Sequence, residues 1–143
     1  MEQEINVDPI DPIDAERFRK TRAARRSELV EDYVELIADL LESEGAARQV
    51  DIANRLGVAQ PTVAKMMRRL ASEGFVDQRP YRGVFLTDAG QALAVTCRKR
   101  HETVETFLRM LGISDETARI DAEGMEHYAS EETLAAFQRF IER

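Results

Sequence analysis

Glu28, Asp32, Glu35 and Asp39 follow one another at spacings of four, three and four. In a helix such residues stack on one face. Residues 27–44 carry seven Asp/Glu and no Lys/Arg, so nothing nearby offsets a repulsion of ~0.2–0.5 kcal/mol per like-charged pair. Both histidines also keep carboxylate company. His101 has Glu102 beside it and Glu105 one turn on, while His127 follows Glu126 directly and Glu123 by four. Glu123, Glu126 and His127 therefore fit one face of a short helix. Folded together, the three segments make an oxygen-rich, two-imidazole site for a cation. A solvated acidic face is the plainer account of Glu28, Glu31, Asp39, Glu102 and Glu105, or at most an outer ring around the ligands. Cys97, one turn before His101, could add a soft ligand, but it is expected as a small buried apolar residue, as free cysteines commonly are.

A second constellation is basic. Ala53, Gly57 and Val63 lie four and six residues apart, the logic of a helix-turn-helix: a small residue for close approach, a glycine for the turn, and a β-branched residue to lock the second helix. Ile52, Leu56, Val58, Met66, Met67 and Leu70 supply the buried side. The second helix then presents Gln60, Thr62, Lys65, Arg68 and Arg69. Its first residues should meet base edges in the major groove, Gln60 pairing with adenine and Thr62 touching a thymine methyl or base edge. Lys65, Arg68 and Arg69 should neutralise phosphates, which position a protein without specifying sequence. Arg79 and Arg82, on a hairpin wing, can reach backbone or minor groove. Solvated charge on a helical hairpin would explain any one of these residues but not the turn pattern, basic helix and basic hairpin together.

The elements that must position both sets follow from pattern. The 143-residue chain suits one compact unit, and its net charge of −7 is unevenly spread. Residues 45–86 hold seven Lys/Arg against three Asp/Glu, whereas residues 101–143 hold four against ten. A DNA footprint is judged on the basic face. Asp8-Pro9 and Asp11-Pro12 without an apolar period predict a flexible arm over 1–13. Asp14 is placed to cap a basic helix to about Arg26 that can continue into the next one, 27–44, ended by Gly45. Helices are expected near 49–56 and 60–73, strands at 75–79 and 84–87, and a long helix from Asp88 to Leu111 capped by Thr87. Ser114 and Ser130 cap two more. Phe107, Leu108, Leu111, Met125, Phe137 and Phe140 are expected in the core. No apolar run approaches the ~18–20 residues of a membrane span, the N-terminus lacks signal-peptide character, and a single cysteine fits a reducing compartment. A cytoplasmic protein is expected.

The chain resembles the manganese-transport regulator branch of the diphtheria-toxin-repressor family, from about residue 14 to the C-terminus. Asp32-Tyr33-Val34-Glu35 is similar to the family's first ligand helix. Gln60-Pro61-Thr62-Val63-Ala64-Lys65-Met66 is similar to its recognition helix, which adds Pro61 to the DNA-facing set. Tyr81-Arg82-Gly83-Val84-Phe85-Leu86-Thr87 is similar to its wing, and Asp121-Ala122-Glu123-Gly124-Met125-Glu126-His127 to its signature ligand helix, with His101-Glu102 before it. The resemblance implies that Asp32, Glu35, His101, Glu123, Glu126 and His127 bind two closely spaced Mn²⁺ ions. Iron-responsive relatives place sulfur at the positions of Asp32 and Glu123, and hard carboxylates there favour Mn²⁺. At Tyr128, where a second histidine is common, the chain departs from some relatives, and Tyr128 is expected to pack or to support the ligands.

The expected fold is mainly α with a small β-hairpin: an arm and basic helix over 1–26, a winged helix-turn-helix domain over 27–90, and a helical metal-binding and dimerisation domain over 91–143. The expected function is a homodimeric, Mn²⁺-activated repressor on an inverted-repeat operator. An iron-responsive or small-molecule-responsive winged-helix repressor is the alternative. A di-metal carboxylate oxidase is a further rival, but that architecture uses long helices and two Glu-x-x-His pairs, and here His127 lies four, not three, after Glu123.

Overall fold

The structure, a computed structural model, describes residues 12–143. Six helices and one antiparallel hairpin run in the order α1 (Pro12–Glu44), α2 (Gln49–Leu56), α3 (Gln60–Ser72), β1 (Val76–Arg79), β2 (Gly83–Leu86), α4 (Asp88–Met110), α5 (Asp115–Tyr128) and α6 (Glu131–Ile141). The arm expected over 1–13 lies outside the described residues as far as residue 11. Beyond it, the basic and acidic helices are one 33-residue element, about 50 Å long. No glycine or proline interrupts it. Pro12, the first described residue, already belongs to it. Asp14 therefore lies inside the first turn, favourable to the helix dipole, and is not the cap expected.

The reading module packs on the second half of α1. Val34 and Ile37 are fully buried against Ile52 of α2, Val63, Met67 and Leu70 of α3, and Val84 of β2, which is almost fully buried. Gly57 closes α2 in the left-handed region, at φ 67°, where a side chain would be strained. The wing is tied back at two points. The Val84 N–H donates to the Ala47 carbonyl at 2.8 Å. The Thr87 hydroxyl donates to the Gly74 carbonyl at 2.6 Å and accepts the Gly90 N–H at 3.1 Å, capping α4. A Cβ at Gly90 would stand 2.1 Å from the Phe75 carbonyl oxygen, so only glycine allows α4 to start so close to the wing.

A smaller core joins Val104 and Leu108 of α4 to Ala118 and Ala122 of α5. Phe107 stacks on Phe137 with ring centroids 3.9 Å apart and meets Phe140 edge-on. Ser114 and Ser130 cap α5 and α6 as expected, accepting the Thr117 and Thr133 N–H groups. Leu111 and Met125 do not join this core; they are 55% and 40% exposed. Helix α5 buries the face carrying Ala118, Ala122 and Glu126, and Met125 points about 100° away from it. Leu29 and Val58 are likewise exposed. Helix α4 serves both cores: Leu93 and Ala94 pack on the first, Val104 and Leu108 form the second. Cys97, Arg100 and His101 lie between. Among the described residues, no helix is long and apolar enough to cross a membrane.

Candidate metal centre and nucleic-acid interface

The seam between the two cores is where α1, α4 and α5 meet, and it collects the acidic and imidazole side chains. The α1 face that buries Val30, Tyr33, Val34 and Ile37 carries Glu31, Asp32 and Glu35 along its edge. Helix α4 brings Cys97, Arg100 and His101, spaced three and one, and α5 brings Glu123, Glu126 and His127. Helical periodicity alone thus aims three short motifs at one place.

His127 is the hinge of the cluster. Its side chain is 1% exposed, and its Nδ1 donates to Glu31 Oε2 at 2.5 Å. Its Nε2 lies 3.1 Å from Asp32 Oδ1 and 3.3 Å from Glu126 Oε1 but aligns with neither as a hydrogen bond. Burial opposes charge on this imidazole, yet the Asp32 and Glu31 carboxylates beside its two nitrogens outweigh burial and raise its pKa to about 10. Glu126 is fully buried. Burial, with Glu35 nearby, raises its pKa to about 8 in spite of His127 and Arg100. The pKa of Glu35 is raised as well, first by burial and then by the Glu123 carboxylate.

Beside this group lies a second. His101 Nδ1 is 3.3 Å from Glu123 Oε1, and its Nε2 is 3.0 Å from Glu105 Oε2. A cavity of about 160 Å³ opens here, lined by Glu35, Asp39, Arg98, His101 and Glu123 among others. Glu126 stands between the groups: one ligand atom each from Glu31, Glu126 and His127 lie within 4.8 Å of one another, and so do those of Glu35, Cys97 and Glu126. A further such triplet is Glu28, Asp32 and His127. The six predicted ligands therefore converge on the seam in two adjoining groups.

Among the described residues, the buried side-chain nitrogens and oxygens without a hydrogen-bond partner are Glu35 Oε1, Arg100 Nε, His101 Nδ1, Glu126 Oε1 and Oε2, and His127 Nε2. All belong to this seam, and all but the Arg100 atom sit on predicted ligands. Buried polar atoms are nearly always satisfied, and the carboxylate oxygens and imidazole nitrogens among these are donor atoms that would hold a cation once it displaces the protons of His127 and Glu126.

Two residues outside the predicted ligand set hold the ligands in place. Glu31, expected on a solvated face or at most in an outer ring around the ligands, takes the second of these places and is 8% exposed. Burial disfavours its charge, but hydrogen bonds from His127 and Arg100 outweigh this and hold its pKa below the usual value. A carboxylate on Nδ1 is the usual device that leaves Nε2 of an imidazole for a metal. Arg100 reaches Glu31 Oε1 at 2.7 Å and Glu126 Oε2 at 3.2 Å, placing a fixed positive charge within the acidic cluster. The signal for Glu31 was its place beside Val30 and Val34 on the buried face; nothing in the sequence pointed to Arg100. Of the other acids, Glu105 also pairs with Arg109 at 2.9 Å, Asp39 pairs with Arg98 at 3.6 Å, and Glu28 accepts from the exposed Tyr128 hydroxyl. Glu102 is exposed. Cys97 is fully buried. Burial and the Glu31 carboxylate push its thiol up to about 12.

The predicted DNA-facing residues lie on α3 and on the hairpin wing. Gln60, Pro61 and Thr62 are exposed in the first turn of α3, and Lys65 and Arg68 are exposed further along it. Arg69 is partly engaged, donating to Glu73 at 3.0 Å. Arg79 donates to Asp77 at 3.2 Å and lies over the Phe85 ring at 4.5 Å, so these two cations are pre-oriented by neighbours. Arg82 and the fully exposed Tyr81 stand at the wing tip, Tyr81 with φ 65°.

Comparison with known proteins bears on both surfaces. The iron dependent repressor N-terminal DNA binding domain matches residues 26–84, and the iron dependent repressor metal binding and dimerisation domain matches residues 87–143. The transcriptional regulator MntR of Escherichia coli O6:H1 is 59% identical over 128 residues, which cover 90% of this chain and 83% of that protein. MntR of Salmonella typhimurium is 60% identical over 128 residues, covering 90% and 82%. A solved manganese-dependent transcriptional repressor in complex with manganese superposes with TM-score 0.70 at 31% identity, covering 79% of this chain and 52% of that one. The manganese regulator SloR superposes with TM-score 0.68 at 29% identity, covering 79% and 53%. The chain thus spans about half the length of these solved relatives.

Proposed function

This chain belongs to the iron-dependent repressor family, and from that membership we propose that it is a manganese-responsive repressor acting as a homodimer on operator DNA in the cytoplasm. It is a transcriptional regulator, not an enzyme, as its relatives are, which removes the di-metal oxidase. The observation that carries the metal reading is the set of unsatisfied buried atoms on Glu35, His101, Glu126 and His127. Asp32, Glu126 and His127 would hold one ion, and Glu35, His101, Glu123 and Glu126 a second. The ions supply positive charge that joins α1 to α4 and α5. Carboxylates at Asp32 and Glu123, with no thiolate at either position, favour Mn²⁺ over softer ions. Metal content after dialysis against Mn²⁺ tests this: two ions per chain are expected, and none would overturn the reading.

The division of labour follows the elements. We assign residues 27–90 to DNA reading and 91–143 to metal binding and dimerisation, with 1–26 as a basic lead-in. Met110, Leu111, Ile120 and Met125 are exposed on α4, α5 and the turn between them, and we propose that a second copy covers part of this apolar surface. Two-fold symmetry would present two α3 helices to an inverted repeat. Lys65→Ala is expected to weaken binding to all sequences and to lower the salt slope by about one unit. Gln60→Ala is expected instead to relax preference at one base position per half-site, by ~1–3 kcal/mol of discrimination. Competition binding with single-base operator variants separates the two, and a uniform loss in both mutants would remove Gln60 as a base reader.

A further inference from the structure

The first half of α1 is unlike the second. Residues 14–26 hold six Lys/Arg and two Asp/Glu, and every one of those cations is exposed. Two of them are matched locally: Arg17 pairs with Asp14 at 3.3 Å and Lys20 with Glu16 at 3.7 Å. Among the described residues, Arg19, Arg22 and Arg26 form no ion pair. Spaced three and four apart, they share one face of the helix. A helix gains nothing from stacking unmatched like charges on itself, so the stripe points outward to an anionic partner.

The place of the stripe says which one. Its last residue, Arg26, lines a cleft of about 450 Å³ together with Arg69 and Glu73 at the end of α3. The stripe therefore ends beside the C-terminal end of the reading helix, where Arg69 is paired with Glu73, and runs on from it for about 10 Å, at 1.5 Å per residue. Duplex DNA carries one charge per ~1.7 Å of axis, so a helix face of that length can meet several phosphates. Arginines without an acidic partner are suited to phosphate oxygens.

We propose that Arg19, Arg22 and Arg26 form an additional DNA-backbone contact, seated on phosphates beside the segment read by α3. It rests on the reading of α3 as the DNA-reading helix. It adds affinity and footprint length but no base preference, because phosphate contacts carry no sequence information.

The test compares the full-length dimer, its Arg19→Gln/Arg22→Gln/Arg26→Gln variant, the matching triple Arg→Lys variant, and Lys65→Ala. Each is titrated with operator and with unrelated duplex across a salt series, and each is sedimented. The Gln variant is expected to lose about tenfold or more in affinity for both duplexes at low salt. Its salt slope is expected to be shallower by about one unit for each phosphate no longer neutralised. The Lys variant is expected to keep most of that slope, since it keeps the charges. An unchanged Gln variant beside a weakened Lys65→Ala overturns the proposal and leaves the α3 reading intact. No loss in either overturns both. Dissociation of the Gln variant to monomers would place the stripe against a second copy of the chain and would also overturn it.

Discussion

Glu126→Gln is expected to lower Mn²⁺ affinity by about a hundredfold or more, beyond the range typical of outer-shell substitutions. Glutamine keeps the shape of the side chain and removes the charge, so the change reads electrostatics rather than packing. Glu126 lies within 3.3 Å of both His127 Nε2 and Arg100 Nε and has no aligned hydrogen bond on either oxygen. The same substitution should not harm the metal-free fold. The pKa of Glu126 is raised from 4.5 to about 8, so its protonated form stabilises the native state. That contribution is complete below pH 4.5 and is lost as pH rises through about 8. The metal-free wild type should therefore lose stability over this window, and Glu126→Gln should lose less. Calorimetric Mn²⁺ titration beside urea unfolding at several pH values reads both effects. A variant with wild-type affinity would remove Glu126 from the site.

Arg100→Leu is expected to destabilise the metal-free protein by about 3 kcal/mol, the scale for breaking one side of a largely buried ion pair. Its guanidinium serves Glu31 and Glu126 at once, and their side chains are 11% and 0% exposed. Without it Glu31 keeps only His127 as a charged partner. Bound Mn²⁺ stabilises the folded state by mass action and brings charge to the same carboxylates, so the deficit should shrink in saturating Mn²⁺. Denaturant unfolding with chelator and with Mn²⁺ gives the two numbers. An equal deficit in both conditions would show that Arg100 acts through packing alone.

Most of the ligand candidates are legible because they fall in two local groups. Asp32 and Glu35, or Glu123, Glu126 and His127, share a helix face whatever the tertiary fold. The reading module was legible for the same reason: turn glycine, small residue and β-branched lock lie within a dozen residues. What escaped the sequence depends on long-range placement. Glu31 meets Arg100 and His127 across 69 and 96 residues, and no local period shows which acid will be drawn under the imidazole. The compensation missing from residues 27–44 comes from Arg98 and Arg100 on α4. Leu111 and Met125 have core composition but face away from the packed side of one chain. The join between the basic and acidic helices is not legible in the sequence, because composition changes at residue 27 while helical propensity does not.

Occupancy of the seam by Mn²⁺ is expected to control DNA binding by α3 and the wing. Operator affinity of the wild-type dimer, measured against rising Mn²⁺ and, separately, rising Mg²⁺, tests this most directly. Imidazole nitrogens in the site discriminate against Mg²⁺. Mn²⁺ is expected to raise operator affinity by about tenfold or more, within the usual scale of coupling between sites, at concentrations where Mg²⁺ does nothing. Operator affinity independent of Mn²⁺, or raised equally by Mg²⁺, would contradict it.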